Sequence, residues 1–169
     1  MSKIYDLVII GGGPAGLSAG IYAGRAKMNT LIIEKGELGG QVNKTFDISN
    51  YPGSRNTNGP KLMSEMRAQA EDFKVKFMNG EVLEVSLDED IKEIKTDKGL
   101  VKGRSVIIAT GAAPRQLGFK GEEEFTGRGV AYCATCDGQF FEGLEVFVIG
   151  AGFAAAEEAI FLTRFASKV

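Results

Sequence analysis

Two cysteines stand two residues apart in Cys133-Ala134-Thr135-Cys136, with an acid, Asp137, directly after. Thiols at this spacing near a helix start can close a small disulfide and exchange it. Asp137 is placed to move a proton for them, and the chain has no histidine to do so. The bare Cys-x-x-Cys pattern serves inert burial as readily as redox work, so its setting must decide. Two cysteines and no histidine cannot complete a zinc site of four such ligands, and no metal is expected. Nor can one pair of cysteines form the disulfide scaffold of a small secreted protein.

The second chemical feature is a glycine loop. Gly11, Gly13 and Gly16 fit G-x-G-x-x-G, with Pro14 and Ala15 between the last two. The first glycine allows a tight turn, the second lets backbone approach a pyrophosphate, and the third lets helix and strand pack closely. The helix N-terminus that follows offers N–H groups and a positive dipole end to phosphates. Glu34 lies 18 residues past Gly16, where a carboxylate can bond ribose hydroxyls. A third feature is Ala109-Thr110-Gly111-Ala112-Ala113-Pro114, where an apolar run ends in a turn of small residues. Read alone, that is an ordinary turn.

The elements around these residues read as α/β. Tyr5 to Ile10 is a short, β-branched run of the kind found in buried parallel strands. A helix to about Ala26 and a second buried strand, Thr30 to Ile33, complete a βαβ unit. Gly36 to Asn58 reads as a long loop. Gly59-Pro60 opens a helix whose Leu62, Met66, Ala70 and Phe73 share one apolar face. Glu81 to Val85 alternates, Ile91 to Thr96 and Leu100 to Lys102 flank a turn at Asp97-Lys98-Gly99, and Ser105 to Ala109 is another buried strand. Val146 to Ile149 reads as a strand once more. It leads into Gly150-Ala151-Gly152-Phe153-Ala154-Ala155 and a helix to about Ala166. The chain therefore holds two dinucleotide-binding starts about 140 residues apart.

Composition is that of a soluble globular protein: 44% hydrophobic and 25% charged residues over 169, with a net charge of -2. That balance argues against a nucleic-acid partner. The apolar stretch from Leu7 to Gly24 is broken by glycines and Pro14. It reads as strand, turn and helix rather than a leader or membrane span, so the expected setting is cytoplasmic with no membrane.

Taken together, these residues resemble the low-molecular-weight bacterial thioredoxin reductases over nearly the full length. The pieces that carry the resemblance are Gly11 to Gly16, Gly39-Gly40-Gln41, Asn50-Tyr51-Pro52-Gly53, Ala109 to Ala112 and Cys133-Ala134-Thr135-Cys136-Asp137-Gly138. It implies a Rossmann-like FAD-binding domain, a parallel sheet plus β-meander in three layers, over residues 1–115. The start of a second such domain for NADPH or NADH follows over 116–169.

By position, the resemblance gives the glycine loop, Glu34 and Lys35 to the ADP half of FAD. Gly40, Gln41, Asn50, Val82, Ala109, Thr110 and Gly111 would line the rest of the FAD site. Gly150, Gly152 and Ala155 fall to the nicotinamide nucleotide. Cys136 would face the flavin, Cys133 would attack the disulfide of thioredoxin or a thioredoxin-like protein, and Asp137 would serve as acid and base. Residues near Pro114 to Gly118 would form the first hinge strand, and the full-length protein would be a homodimer. The glutathione-reductase branch is disfavoured, because Gly36 to Gln41 lacks its cysteines.

Three alternatives stay open. One is a related dithiol reductase or oxidase with another partner. Another is a different donor such as ferredoxin, suggested by Phe153 where the family carries a polar residue. The third is a non-catalytic nucleotide-binding fragment. Family members run on to complete both domains, so the isolated 169-residue chain is expected to be inactive and to bind FAD weakly or not at all.

Overall fold

The computed structural model describes residues 3–169. The chain divides into two compact units, Met1–Ala113 and Pro114–Val169.

In the first unit, β1 (Ile4–Ile10) is followed by α1 (Pro14–Arg25), β2 (Thr30–Glu34) and a 3-10 turn at Gly40–Lys44. Then come α2 (Gly59–Asp72), β3 (Lys76–Asn79), β4 (Val82–Ser86), β5 (Lys92–Thr96) and β6 (Gly99–Ile108). One six-stranded sheet results, in the order β3-β2-β1-β6-β5-β4. β1 lies at its centre and pairs in parallel with both β2 and β6. A strand flanked on both edges and covered on both faces must be apolar throughout, and Leu7 to Ile10 are buried in succession.

Alternation along β1 assigns its two faces. Leu7 and Ile9 join Ile32 of β2, Leu17 and Ile21 of α1, and Leu62, Met63, Met66 and Ala70 of α2. Val8 and Ile10 join Leu31, Ile33 and Ile94 of β5. Helices α1 and α2 thus cover one face of β1, and β5 of the meander packs against the other, as the resemblance implies. The α2 start is written locally: the Asn58 side chain accepts from the Lys61 N–H at 2.9 Å, and Pro60 stands in the first turn.

Two segments differ from the sequence reading. Leu100–Lys102 and Ser105–Ala109, read as separate strands, are one ten-residue strand, β6. Its first half pairs antiparallel with β5 and its second half parallel with β1, so Gly103 and Arg104 continue a ladder instead of turning. In the other direction, Val146 to Ile149 is not a strand. Its recorded partner is Lys168, through a Glu145–Lys168 bridge and a Val146 N–H to Lys168 carbonyl bond of 2.9 Å. Apolar β-branched residues need a second backbone to pair with before they become a strand.

The second unit also holds α3 (Ala134–Asp137), a 3-10 turn at Gly138–Phe141 and α4 (Phe153–Leu162). Leu162 and Phe165 close over Gly138, within 3.6 Å of where its Cβ would stand. Among the described residues no helix is long and apolar enough to cross a membrane.

Candidate dinucleotide loop and disulfide sites

The glycine loop lies where β1 turns into α1. Gly11 has φ +111°, a conformation side chains rarely adopt, and a Cβ there would stand 2.2 Å from the Ala109 carbonyl oxygen. A Cβ on Gly16 would stand 1.9 Å from the Gly11 carbonyl oxygen. Both glycines are required by the protein's own backbone. Gly13 is different. Its backbone is ordinary extended chain, φ -76° and ψ -173°, and a Cβ would meet nothing nearer than the Gly39 carbonyl oxygen at 4.0 Å. Nothing in the protein demands glycine at position 13, so the open space there is room for a ligand. Gly13 is also the N-cap of α1 and supplies no side-chain acceptor, which leaves the first-turn N–H groups to an anion.

Glu34, at the end of β2, accepts from the Gly12 N–H at 2.7 Å and from the Gly36 N–H at 2.9 Å. It therefore ties the glycine loop to the β2 exit. The Gly39 N–H donates to the Gly12 carbonyl at 2.8 Å, and the Asn43 amide donates to the Leu38 carbonyl at 2.8 Å, so residues 38–43 fold back over the loop. A cavity of about 540 Å³ opens beside Glu34, walled by Leu38, Asn43, Met63, Arg67 and Phe77. It sits outside the carboxyl ends of β2 and β3, where open α/β sheets bind ligands.

The other residues singled out in this unit are distributed around that loop. Pro14 and Ala15 are in the first turn of α1. Lys35 is exposed and lies 3.7 Å from Glu81. Gly40 and Gln41 begin the 3-10 turn, and Val82 begins β4 and packs on the meander core. The Ala109 N–H donates to the Ile10 carbonyl at 2.8 Å, which brings Thr110 and Gly111 to the end of β1. Asn50 is exposed in an irregular segment. Sequence reasoning missed Leu38 and Asn43, whose part depends on how the loop folds back.

In the second unit Cys133 and Cys136 are joined as a disulfide, with Cα atoms 5.3 Å apart. Cys133 is the N-cap of α3, and its Sγ accepts from the Cys136 N–H at 3.2 Å. An N–H aimed at sulfur favours a thiolate there once the disulfide opens. Cys136 is exposed, while Cys133 and Asp137 are half-buried. Burial pushes the Asp137 carboxyl above its usual range, toward the poise of a group that both holds and releases a proton. Among the described residues no cluster of three or more metal-ligating side chains exists. Gly150 has φ +155°, and its Cβ would stand 3.0 Å from that of Ala155; Gly152 caps α4. Phe153, at the first helical position, is almost wholly exposed.

The sequence did not single out Glu122. It sits in the run Glu122-Glu123-Glu124, which looks like a solvated face, yet its side chain is buried. It accepts from the Leu117 N–H at 2.9 Å, the Gly118 N–H at 2.5 Å and the Tyr132 hydroxyl at 2.9 Å. The Leu117 N–H, above all, holds this carboxyl below its ordinary range against the opposing effect of burial; the Gly118 N–H, Tyr132 and Phe119 act in the same sense as Leu117. Burial, then the bond to Glu122, raises the Tyr132 hydroxyl.

A parallel sheet layered between helices and a meander, a glycine loop closed by a carboxylate, and a Cys-x-x-Cys disulfide define a dinucleotide-binding fold of redox type. The family model described as pyridine nucleotide-disulphide oxidoreductase matches residues 5–169, and the chain belongs to that family. It is 52% identical to a thioredoxin reductase of Peptoclostridium acidaminophilum, over 100% of this chain and 54% of that relative. It is 48% identical to one of Bacillus subtilis, over 99% and 53%. The solved thioredoxin reductase of Streptococcus pyogenes superposes with a TM-score of 0.95 at 47% identity, covering 100% of this chain and 55% of that one. The chain thus spans about half the length of the curated relatives it matches.

Proposed function

We propose that this chain carries the FAD-binding core and the redox-active disulfide of a thioredoxin reductase. The observation that carries the reading is the pairing of a Gly13 position left open by the protein with a Cys133–Cys136 disulfide. The N–H groups of the α1 start would hold the pyrophosphate of FAD, and Glu34 the ribose, with Gly40, Gln41, Asn50, Val82, Thr110 and Gly111 along the rest. When bound, FAD supplies two-electron transfer between a reduced nucleotide and a disulfide.

The chain's own residues do the sulfur chemistry. The Cys133 thiolate, favoured by the Cys136 N–H, attacks a disulfide of thioredoxin and forms a mixed disulfide. Cys136 then attacks Cys133, closing the internal disulfide and releasing the partner's second thiol. Asp137 takes the proton from the attacking thiol and returns it to the leaving one. The closed disulfide must receive two electrons and two protons before the next turn.

Gly150, Gly152 and Ala155 are assigned to NADPH or NADH. The exposed Phe153 favours a second reading, in which the donor is another reductant such as ferredoxin. A cytoplasmic homodimer belongs to the same proposal, and light scattering of the full gene product checks its mass.

Titrating that product with NADPH, NADH and reduced ferredoxin, while following flavin bleaching and thioredoxin reduction, separates these readings. Cys136→Ser should keep flavin reduction and abolish disulfide turnover. Thioredoxin reduction persisting in that variant would refute the assignment of roles.

A further inference from the structure

We propose that Glu122 is a positioning residue for the Cys133–Cys136 pair, acting through Tyr132 to hold the chain just before Cys133 against the Leu117–Gly118 backbone. The inference rests on reading Cys133 and Cys136 as a redox pair.

Three observations carry it. First, Glu122 is a buried carboxylate whose oxygens join two segments on either side of it: the backbone N–H groups at 117 and 118 and the hydroxyl of residue 132. Second, the turn around Glu122 closes without Tyr132. The Glu122 N–H donates to the Phe119 carbonyl at 3.1 Å, the Phe125 N–H to the Gly121 carbonyl at 2.9 Å, and the Thr126 hydroxyl to the Glu122 carbonyl at 2.6 Å. Holding Tyr132 is therefore an added task for the carboxylate. Third, the hydrogen bonds of Cys133 itself are local. Its carbonyl accepts from the Cys136 and Asp137 N–H groups at 3.2 and 3.0 Å, and its sulfur from Cys136. On its N-terminal side the chain is anchored at Val130, whose N–H donates to the Phe125 carbonyl and whose carbonyl accepts from the Gly127 N–H, both at 2.9 Å, and nearest Cys133 by the Tyr132 hydroxyl on Glu122.

The physical consequence depends on redox state. In the disulfide form the S–S bond keeps the two cysteines together. In the dithiol form that bond is gone, and non-covalent tethers must hold Cys133 where it can close again. Loosening Tyr132 therefore frees the dithiol more than the disulfide and lowers the effective concentration of one thiol at the other. Loss of the tether should shift the equilibrium toward the dithiol.

The test uses the full gene product with its cofactors, equilibrated in mixtures of reduced and oxidised dithiothreitol. In that exchange the protein disulfide takes two electrons and two protons from the reagent dithiol, which closes to its cyclic disulfide. Acid quenching and maleimide labelling count the protein thiols. Tyr132→Phe deletes one hydroxyl, leaves the turn closed, and should shift the equilibrium toward the dithiol by about threefold or more, the worth of one hydrogen bond. Glu122→Gln should shift it the same way, and the double variant should add little to the larger single shift, because both act through one contact.

A shift below about threefold for Tyr132→Phe, a shift toward the disulfide, or full additivity in the double variant would overturn the proposal. A role confined to holding the fold would lower the melting temperature of both forms equally and leave the equilibrium in place. If Glu122→Gln does not fold, Tyr132→Phe alone decides. Failure of the unaltered pair to exchange with dithiothreitol at all would refute the redox reading itself, a result distinguishable from an unmoved variant.

Discussion

Glu34 reaches across from the end of β2 to accept the Gly12 N–H at 2.7 Å, so one carboxylate fixes both the glycine loop and the β2 exit. A glutamine there has one oxygen to accept with, so it must leave either Gly12 or Gly36 without a partner. Glu34→Gln should weaken FAD binding by about tenfold to a hundredfold, the worth of one hydrogen bond to a charged group. Equilibrium titration of the deflavinated full gene product, read by flavin fluorescence, measures this. An affinity equal to that of the unaltered protein would remove Glu34 from the site.

Gly13 and Gly16 lie in one motif but should fail in different ways. A methyl at Gly16 meets the Gly11 carbonyl oxygen at 1.9 Å, whereas a methyl at Gly13 enters open space. Gly16→Ala should therefore unfold or strongly destabilise the first unit. Gly13→Ala should melt close to the unaltered apoprotein yet lose FAD affinity tenfold or more, since its methyl stands where a pyrophosphate must approach backbone. Thermal melts by circular dichroism and flavin titration of the full gene product carrying each substitution separate the two effects.

Much of this was legible because it is periodic or local. Leu7 to Ile10, Thr30 to Ile33 and Leu62, Met66 and Ala70 of α2 state their burial in residue type, whereas Phe73, expected on the same face, is exposed at the helix end; G-x-G-x-x-G states its turn. What stayed hidden depends on how the chain folds back on itself. Nothing in Glu122-Glu123-Glu124 distinguishes the one acid that turns inward, because its burial is decided by N–H groups at 117 and 118 and a hydroxyl at 132. Val146 to Ile149 has the composition of a strand but pairs only through Glu145 and Val146 with Lys168. Composition cannot report pairing. The Cys133–Cys136 loop lies between these cases: its spacing predicts ring closure, while the tether at Tyr132 is tertiary.

Asp137 should show a trade between stability and activity. Burial raises its carboxyl, so the folded state prefers the neutral acid. The stability it contributes is present below the unfolded value and is lost as pH rises through the higher folded value, which makes the ionised form a burden at neutral pH. Asp137→Asn should therefore leave the melting temperature at pH 7 unchanged or raised. Thioredoxin reduction should fall by about a hundredfold or more, the usual contribution of a positioned acid or base. Melting curves and steady-state turnover of the full gene product at pH 7 provide the check, and a variant that turns over normally would remove Asp137 from proton transfer.

Glu122 should behave in the opposite sense. Its folded carboxyl lies below the ordinary value because Leu117, Gly118 and Tyr132 donate to the ionised form. The stability that follows is complete above the unfolded value of about 4.3 and is lost as pH falls through the lower folded value. Protection of the Leu117 and Gly118 amides against hydrogen exchange should therefore hold from neutral pH down to the ordinary carboxylate range and collapse below it. In Glu122→Gln, protection should already be reduced at neutral pH, because an amide oxygen cannot accept from both N–H groups as the carboxylate does. Its pH profile should also be flat across the acid range, since no proton binds. Hydrogen exchange read by mass spectrometry on peptides covering residues 115–120, corrected for intrinsic exchange at each pH, resolves the two profiles. Identical profiles for the variant and the unaltered protein would mean that the carboxylate does not hold this backbone in solution.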